Sequence, residues 1–225
     1  MKNVLFKKVL LLSVLLSIFE FSFSQKSYRF DYLLEYELYN YKDSISMSKY
    51  YLTNSLDNSY FAVVTKKNKK TFIVNFTDYN GVSSTFELDK DSLFNEETII
   101  INRDYTKKFT YSKKRNKRNK MKFKILKDTV IEQYQLKHYK FYSTDSRKSK
   151  RKKLREQHYY IDDNDGFHLP ILDNTNAFDV WSLEGNISKS IYKFKYEFNY
   201  LGEVLFKEKL KKINSIEKLL ILQIK

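Results

Sequence analysis

Apolar and polar residues alternate with a period of two along almost the whole chain, the pattern of strands that bury one face and wet the other. The clearest run is 191–200, where Tyr192, Phe194, Tyr196, Phe198 and Tyr200 fall on one face and Lys193, Lys195, Glu197 and Asn199 on the other. Leu201-Gly202-Glu203 then supplies a turn, and residues 204–212 are expected to return antiparallel. Similar short segments, aromatic or β-branched and bounded by Asn, Asp, Ser or Gly, occupy residues 30–41, 48–53, 60–65, 71–77, 83–88, 98–103 and 107–112. The series continues at 121–127, 130–142, 157–161 and 167–172. Helical signals are few: 89–95 and 177–183 each fit a turn, and 215–224 fits a terminal helix or a strand equally well. The layout predicts a mainly β protein, an antiparallel, strongly curved meander or open half-barrel of about ten strands with few short helices.

The first residues follow a different rule. Lys2, Lys7 and Lys8 precede an apolar stretch at 9–19, which Glu20 ends. Ser22-Phe23-Ser24 then sets small residues at the two positions a signal peptidase reads before Gln25. As a helix the apolar stretch would rise only about 16 Å, roughly half a hydrocarbon core, so the segment reads as cleaved and not as a span. The expected organisation is a signal peptide at 1–24 and a single β-rich domain at 25–225. With no cysteine in the chain there is no residue to acylate, no disulfide and no thiolate metal site. The mature protein is therefore expected to be exported to the periplasm or beyond, without a lipid anchor or a transmembrane span.

Charge sharpens the list of partners. The formal charge is +15, and losing the leader leaves about +13. Abundant Lys, Asn, Ile, Tyr and Phe with scarce Gly and Pro is also what an AT-rich genome imposes, so placement carries more information than number. Two runs stand out: Lys113, Lys114, Arg115, Lys117, Arg118 and Lys120, then Arg147, Lys148, Lys150, Arg151, Lys152, Lys153 and Arg155. Both are expected to be exposed loops. If the strands between them join at Asp128-Thr129, the far ends of that hairpin gather all thirteen cations at one end of the sheet. Such a pole suits lipopolysaccharide, anionic lipid head groups or acidic glycans; nucleic acid is not expected as the partner of an exported protein.

Signals for catalysis are weak. Asp162-Asp163-Asn164-Asp165-Gly166 resembles a calcium loop, but the twelfth position falls on Leu172 where a glutamate is required, so a polar turn with Gly166 at positive φ is expected. His138, His158 and His168 lack metalloprotease spacing; His158 and His168 are expected to face each other across that turn, near Asp162, without a third ligand. No metal and no cofactor is expected. No phosphate loop, nucleophile elbow or dinucleotide fingerprint is present, although a hydrolase using a pair of carboxylates leaves no local signature. The aromatic stripe, joined by Phe30, Tyr32, Tyr36, Phe72, Phe76 and Tyr139, fits either the wall of an acyl-chain cavity or an ordinary core. Asp43-Ser44-Ile45, Asp91-Ser92-Leu93 and Asp128-Thr129-Val130 resemble the O-glycosylation tripeptides of exported Bacteroidota proteins.

The signal ending FSFSQ, the first strand RFDYLLEYELYNY and the late FHLPILDNTNAFDVW resemble flavobacterial (Bacteroidota) secreted proteins of unknown function. Some of these are loosely similar to periplasmic lipoprotein carriers of the LolA and LolB type. That resemblance implies an unclosed β-barrel that covers an apolar cavity with helices; here the helices are scarcely visible and the basic runs are extra. The leading expectation is a non-enzymatic cell-envelope protein that binds a lipid or amphiphile on the aromatic concave face formed by Tyr192, Phe194, Tyr196, Phe198 and Tyr200. The alternative is an envelope protein that binds an anionic glycan, lipopolysaccharide or a partner protein through the basic pole. A hydrolase with a carboxylate pair comes third.

Overall fold

A computed structural model describes residues 25–109 and 120–223; the expected leader and the cations from Lys113 to Arg118 lie outside them. Twelve strands follow one another: β1 (Gln25–Asn40), β2 (Ile45–Thr53), β3 (Tyr60–Lys66), β4 (Thr71–Asp78), β5 (Val82–Asp89), β6 (Thr98–Ile101), β7 (Thr106–Lys108), β8 (Met121–Ile131), β9 (Tyr134–Ser143), β10 (Glu156–Ile161), β11 (Tyr192–Phe198) and β12 (Val204–Gln223). The helices are α1 (Lys90–Asn95), α2 (Ser146–Lys152) and α3 (Thr175–Glu184). All strands join one curved, open sheet in the order β7-β5-β4-β3-β2-β1-β12-β11-β10-β9-β8, with β6 added in parallel to the end of β12. Every other pairing is antiparallel, as the expected meander requires. Among the described residues no helix is long and apolar enough to cross a membrane.

The long pairing of β1 with β12, from Gln25 opposite Gln223 to Asn40 opposite Phe206, is the spine of the sheet. It settles residues 215–223 as strand: Leu220 and Leu222 are buried at period two against β1. Neighbouring residues of the first three strands divide between two cores, Leu33, Leu52 and Ala62 to one and Leu34, Tyr51 and Phe61 to the other. Since successive strand residues point to opposite faces, each face of the sheet carries a core. Leu93 of α1 and Ile99 and Ile101 of β6 complete the first. Ile171, Leu172, and Ala177 and Val180 of α3 cover the second. Each Leu, Ile or Val among them, fully buried, contributes about 1.5–3 kcal/mol.

The covering segment is fixed at several points. Asn174 caps α3 by accepting from the Asn176 amide at 2.9 Å, and Gly185 ends it at φ 60°, a left-handed position. Ahead of α3, Tyr79 donates its hydroxyl hydrogen to the Leu172 carbonyl, and Asn58 donates to the Pro170 carbonyl at 2.8 Å.

Four local expectations are corrected. The β8–β9 turn is Glu132-Gln133, both at positive φ (48° and 69°), not Asp128-Thr129, which falls at an irregularity within β8. Residues 167–172 form no strand; they run as the irregular lead-in to α3. The second basic run is not a loop over 146–152 but α2, nucleated where Asp145 accepts from the Lys148 amide at 2.9 Å. Gly166 sits at φ −49°, because a 3₁₀ turn at Asp163–Asp165 carries the chain round without a left-handed residue.

Candidate functional site

The aromatic stripe does not stay on one face. Ile161 pairs with Tyr192 and its neighbour Tyr160 with Phe194, so two residues of β11 advance for one of β10. This bulge inverts the side-chain phase. Tyr192 and Lys195 therefore share the face of the second core, while Phe194, Tyr196 and Phe198 point the other way. Tyr192 fills the core against Tyr36 and Tyr159, with ring centroids 4.7 and 5.8 Å away. Tyr200 lies in the turn that follows β11.

The opposite face of β9–β11 and of residues 204–212 of β12 belongs to neither core; only the far end of β12, with Leu220 and Leu222, joins the first. Phe194 is only 1% exposed, yet its roof is made of lysines: the ammonium groups of Lys207 and Lys209 stand 5.5 and 6.0 Å from its ring centroid. Lys207 also lies 5.7 Å from the Tyr196 ring. Tyr160 packs edge-on to Tyr196 and stacks on His138 at 4.2 Å; His158 meets Phe198 at 4.7 Å. The His138 and His158 rings share a hydrogen bond of 2.9 Å. Burial, then the neighbouring His138 and Lys140 charges, push the His158 imidazole down to about 4, and burial lowers His138 as well. The pair is neutral at pH 7. Two grooves flank these rings. One, of about 530 Å³, runs between Glu132, Tyr134, Lys193, Phe194 and Lys209, where Glu132 pairs with Lys209 at 2.5 Å; the other, of about 250 Å³, lies between Glu37, Tyr39, Tyr41, Lys207 and Lys209.

On the core face the bulge has a second consequence, the burial of Lys195. Its ammonium group contacts Asp173 Oδ2 at 2.7 Å and Glu208 Oε1 at 3.1 Å. Lys49 of β2 closes the square, 2.8 Å from Glu208 and 3.4 Å from Asp173. The Tyr51 hydroxyl shares its one hydrogen between Asp173 at 2.8 Å and Glu208 at 3.1 Å, and Tyr192 donates to Glu208 at 2.6 Å. Two cations and two carboxylates thus balance in a site where Lys195 and Glu208 side chains are 4% and 5% exposed. Burial alone would raise both carboxyls. The Lys195 and Lys49 charges outweigh it, holding Asp173 well below the carboxylate range and lowering Glu208. Burial likewise favours the neutral amine of Lys195, but Asp173 and Glu208 hold it ionised.

The basic pole is placed in part. The open end of the β8–β9 hairpin brings exposed Lys120 beside Thr144, whose amide donates to the Lys120 carbonyl at 3.0 Å, and α2 follows directly. Arg147, Lys148, Lys150, Arg151 and Lys152 lie on α2, whose left-handed C-cap is Lys153. Arg155 turns away to pair with Glu197.

No family model matches the sequence, and no curated protein matches it. Among solved structures the fold is similar to a chain of the Pseudomonas aeruginosa MucA/MucB complex, with a TM-score of 0.41 and 6% identity over 82% of this chain and 51% of that one. MucB bound to MucA(peri) gives 0.38 and 5%, over 84% and 51%. A putative outer membrane lipoprotein-sorting protein domain from Vibrio parahaemolyticus gives 0.33 and 11%, over 82% and 85%. The chain spans about half the length of the first two matched chains. At these scores the likeness carries no argument about function, which rests on this chain's own residues.

Two histidine expectations change. His168 does not face His158; its Nε2 lies 2.8 Å from Thr53 Oγ1, and it serves to dock the lead-in to α3 on β2. His158 meets His138 instead. Among the described residues no group of three His, Asp or Glu side chains is set to hold a metal ion. The ionic square escaped sequence reading, since its members come from four distant segments. One signal was there: Glu208 stands in phase with Phe206 and Leu210, a carboxylate where β12 should be apolar.

Proposed function

We propose that this protein is an exported, non-enzymatic binding protein of the cell envelope that takes an amphiphile with an anionic head on the outer face of β9–β12. The observation that carries the reading is the row Phe194, Tyr196 and Phe198, extended by Tyr160, lying outside both cores and interleaved with Lys207 and Lys209. An acyl chain would lie along the rings, and the lysine ammonium groups would take the head group. The filled core around Tyr192 supports an open face over an enclosed cavity as the binding place. The carboxylate pair argues against hydrolysis: Asp173 and Glu208 are both held ionised between lysines, so neither keeps the proton that a general acid delivers.

Flotation with vesicles tests the proposal. Binding to phosphatidylglycerol vesicles should exceed binding to phosphatidylcholine vesicles. At about 1 kcal/mol per lysine near an anionic surface, Lys207→Gln with Lys209→Gln should weaken it roughly 30-fold. Equal binding to both lipids, or an unaffected double variant, contradicts it. The basic pole is the second candidate, for an anionic glycan or lipopolysaccharide, resting on the meeting of Lys120 and α2 at one end of the sheet. If the pole is the site, converting Arg147, Lys150 and Arg151 to Gln abolishes binding and the face variants do not.

A further inference from the structure

A cavity of about 570 Å³ opens on the face of the first core, between α1 with its link to β6 on one side and β1, β2 and β12 on the other. Its inner wall is apolar, made by Leu33, Leu93 and Ile216, and the Tyr50 and Phe94 rings line it edge-on to each other at 6.1 Å. Phe94 is 43% exposed although Phe72 also packs against it. The outer wall is pinned to β12. Buried Lys218 donates to the Ser92 and Glu96 carbonyls at the C-terminal end of α1, the Leu219 amide donates to the Glu97 carbonyl at 2.7 Å, and β6 then continues in parallel with β12. The cavity is thus pre-formed, and its volume falls in the range of about 300–1,000 Å³ typical of small-molecule sites.

The lining reverses the sign of the protein. Glu35, Glu96, Glu97 and Glu217 stand there against only Lys212 and Lys218, in a chain with 42 Lys and Arg to 27 Asp and Glu. Carboxylates on the neighbouring strands have taken cations: Glu37 pairs with Lys211, Glu132 with Lys209 and Glu208 with Lys49. Glu217 pairs with Arg29 at the surface, but among the described residues Glu35, Glu96 and Glu97 have no Lys or Arg within 4.0 Å. Half-buried Glu35 receives only the Ser48 hydroxyl at 3.3 Å and the Tyr50 hydroxyl at 3.5 Å. An anion entering here meets excess like charge. An ammonium ion gains from the carboxylates and from the two rings, and an apolar body attached to it covers the inner wall.

We infer that this cavity binds a small organic ammonium ion, its charged end among Glu35, Glu96 and Glu97 beside the Tyr50 and Phe94 rings and its apolar body against the first core. The cavity meets the 530 Å³ groove at Lys212, which lines both, but Lys207 and Lys209 stand outside it, so this inference and the amphiphile proposal fail separately.

Nuclear magnetic resonance titration of the protein with phenethylammonium and benzyltrimethylammonium chlorides tests it, with 3-phenylpropionate and 2-phenylethanol as anionic and neutral counterparts. At least one ammonium ion should give saturable shifts at Leu33, Leu93 and Phe94, and both counterparts should bind about tenfold more weakly or less. Glu35→Gln with Glu97→Gln, which leaves the apolar wall intact, should weaken ammonium binding about tenfold. Lys212→Gln removes a like charge and should tighten it about twofold, whereas Lys207→Gln with Lys209→Gln should leave it unchanged. Four outcomes overturn the inference: no saturation by either ammonium ion, equal affinity for the alcohol or the anion, undiminished binding in the Glu35 and Glu97 double variant, or loss of binding in the Lys207 and Lys209 one.

Discussion

Replacing Lys195 by methionine keeps an unbranched, apolar stem one atom shorter and removes one of the two cations in the square. Asp173 loses its 2.7 Å contact and Glu208 its 3.1 Å contact, and Lys49 alone remains for two buried carboxylates. Breaking a buried pair from one side costs about 3–5 kcal/mol, because a charge is left without compensation. For a domain of this size each kcal/mol moves the midpoint by about 2–4 °C, so Tm should fall by roughly 6–20 °C. The deficit should also depend on pH, with a definite sign. In the wild type the folded-state values of Asp173 and Glu208 are depressed, so their contribution is full above about pH 5 and is lost progressively as pH falls below it. In Lys195→Met one carboxyl is destabilised as the anion and takes up a proton on mild acidification. The gap between variant and wild type should therefore narrow from pH 7 to pH 5, and Lys195→Met with Asp173→Asn should recover most of the loss at pH 7. Scanning calorimetry at the two pH values reads both effects. A fall of less than about 2 °C is what a solvated surface pair would give. That result, or a gap that stays constant with pH, refutes the reasoning.

Other consequences are as definite. His158 is held neutral in the fold at about 4, below its ordinary 6.5, so the unfolded chain binds the extra proton; stability should decline as pH falls from about 6.5 to 4, and His158→Phe should flatten that slope in urea titrations. Gly81 combines φ +104° with a neighbour, the Phe109 carbonyl oxygen, only 2.6 Å from where a Cβ would stand, so Gly81→Ala should cost about 2 kcal/mol or more by chemical denaturation. Glu132 and Gln133 both hold positive φ in a two-residue turn that favours Asn-Gly, and the double change Glu132→Asn, Gln133→Gly should raise stability by about 1 kcal/mol despite loss of the exposed Glu132–Lys209 pair.

The antiparallel sheet was legible because period-two burial survives even where aromatics and lysines dominate composition, as along β4, where Phe72, Val74 and Phe76 are buried in turn. Residues 89–95 and 177–183, each expected as a single turn, fall in α1 and α3, the second of which is longer, at ten residues over Thr175–Glu184. What pattern reading missed is local irregularity with distant effect. One bulge in β11 moves Tyr192 and Lys195 to the core face and splits a stripe that alternation had drawn as continuous. The β8–β9 turn was misplaced because Glu132 and Gln133 carry none of the usual left-handed signals, whereas Asp128-Thr129 does resemble a turn. The ionic square could not be read from spacing, since Lys49, Asp173, Lys195 and Glu208 meet only after β1, β2, β11 and β12 have paired.

The proposed binding face is tested most directly by labelling the Phe and Tyr rings with ¹³C and titrating the protein with dihexanoylphosphatidylglycerol below its micellar concentration. The expected result is saturable shifts at Tyr160, Tyr196 and Phe198, absent in Lys207→Gln with Lys209→Gln. Shifts at Tyr36, Tyr51 and Tyr192 instead would put the lipid inside the second core, and no shifts at all would leave the outer face without its ligand; either contradicts the proposed site.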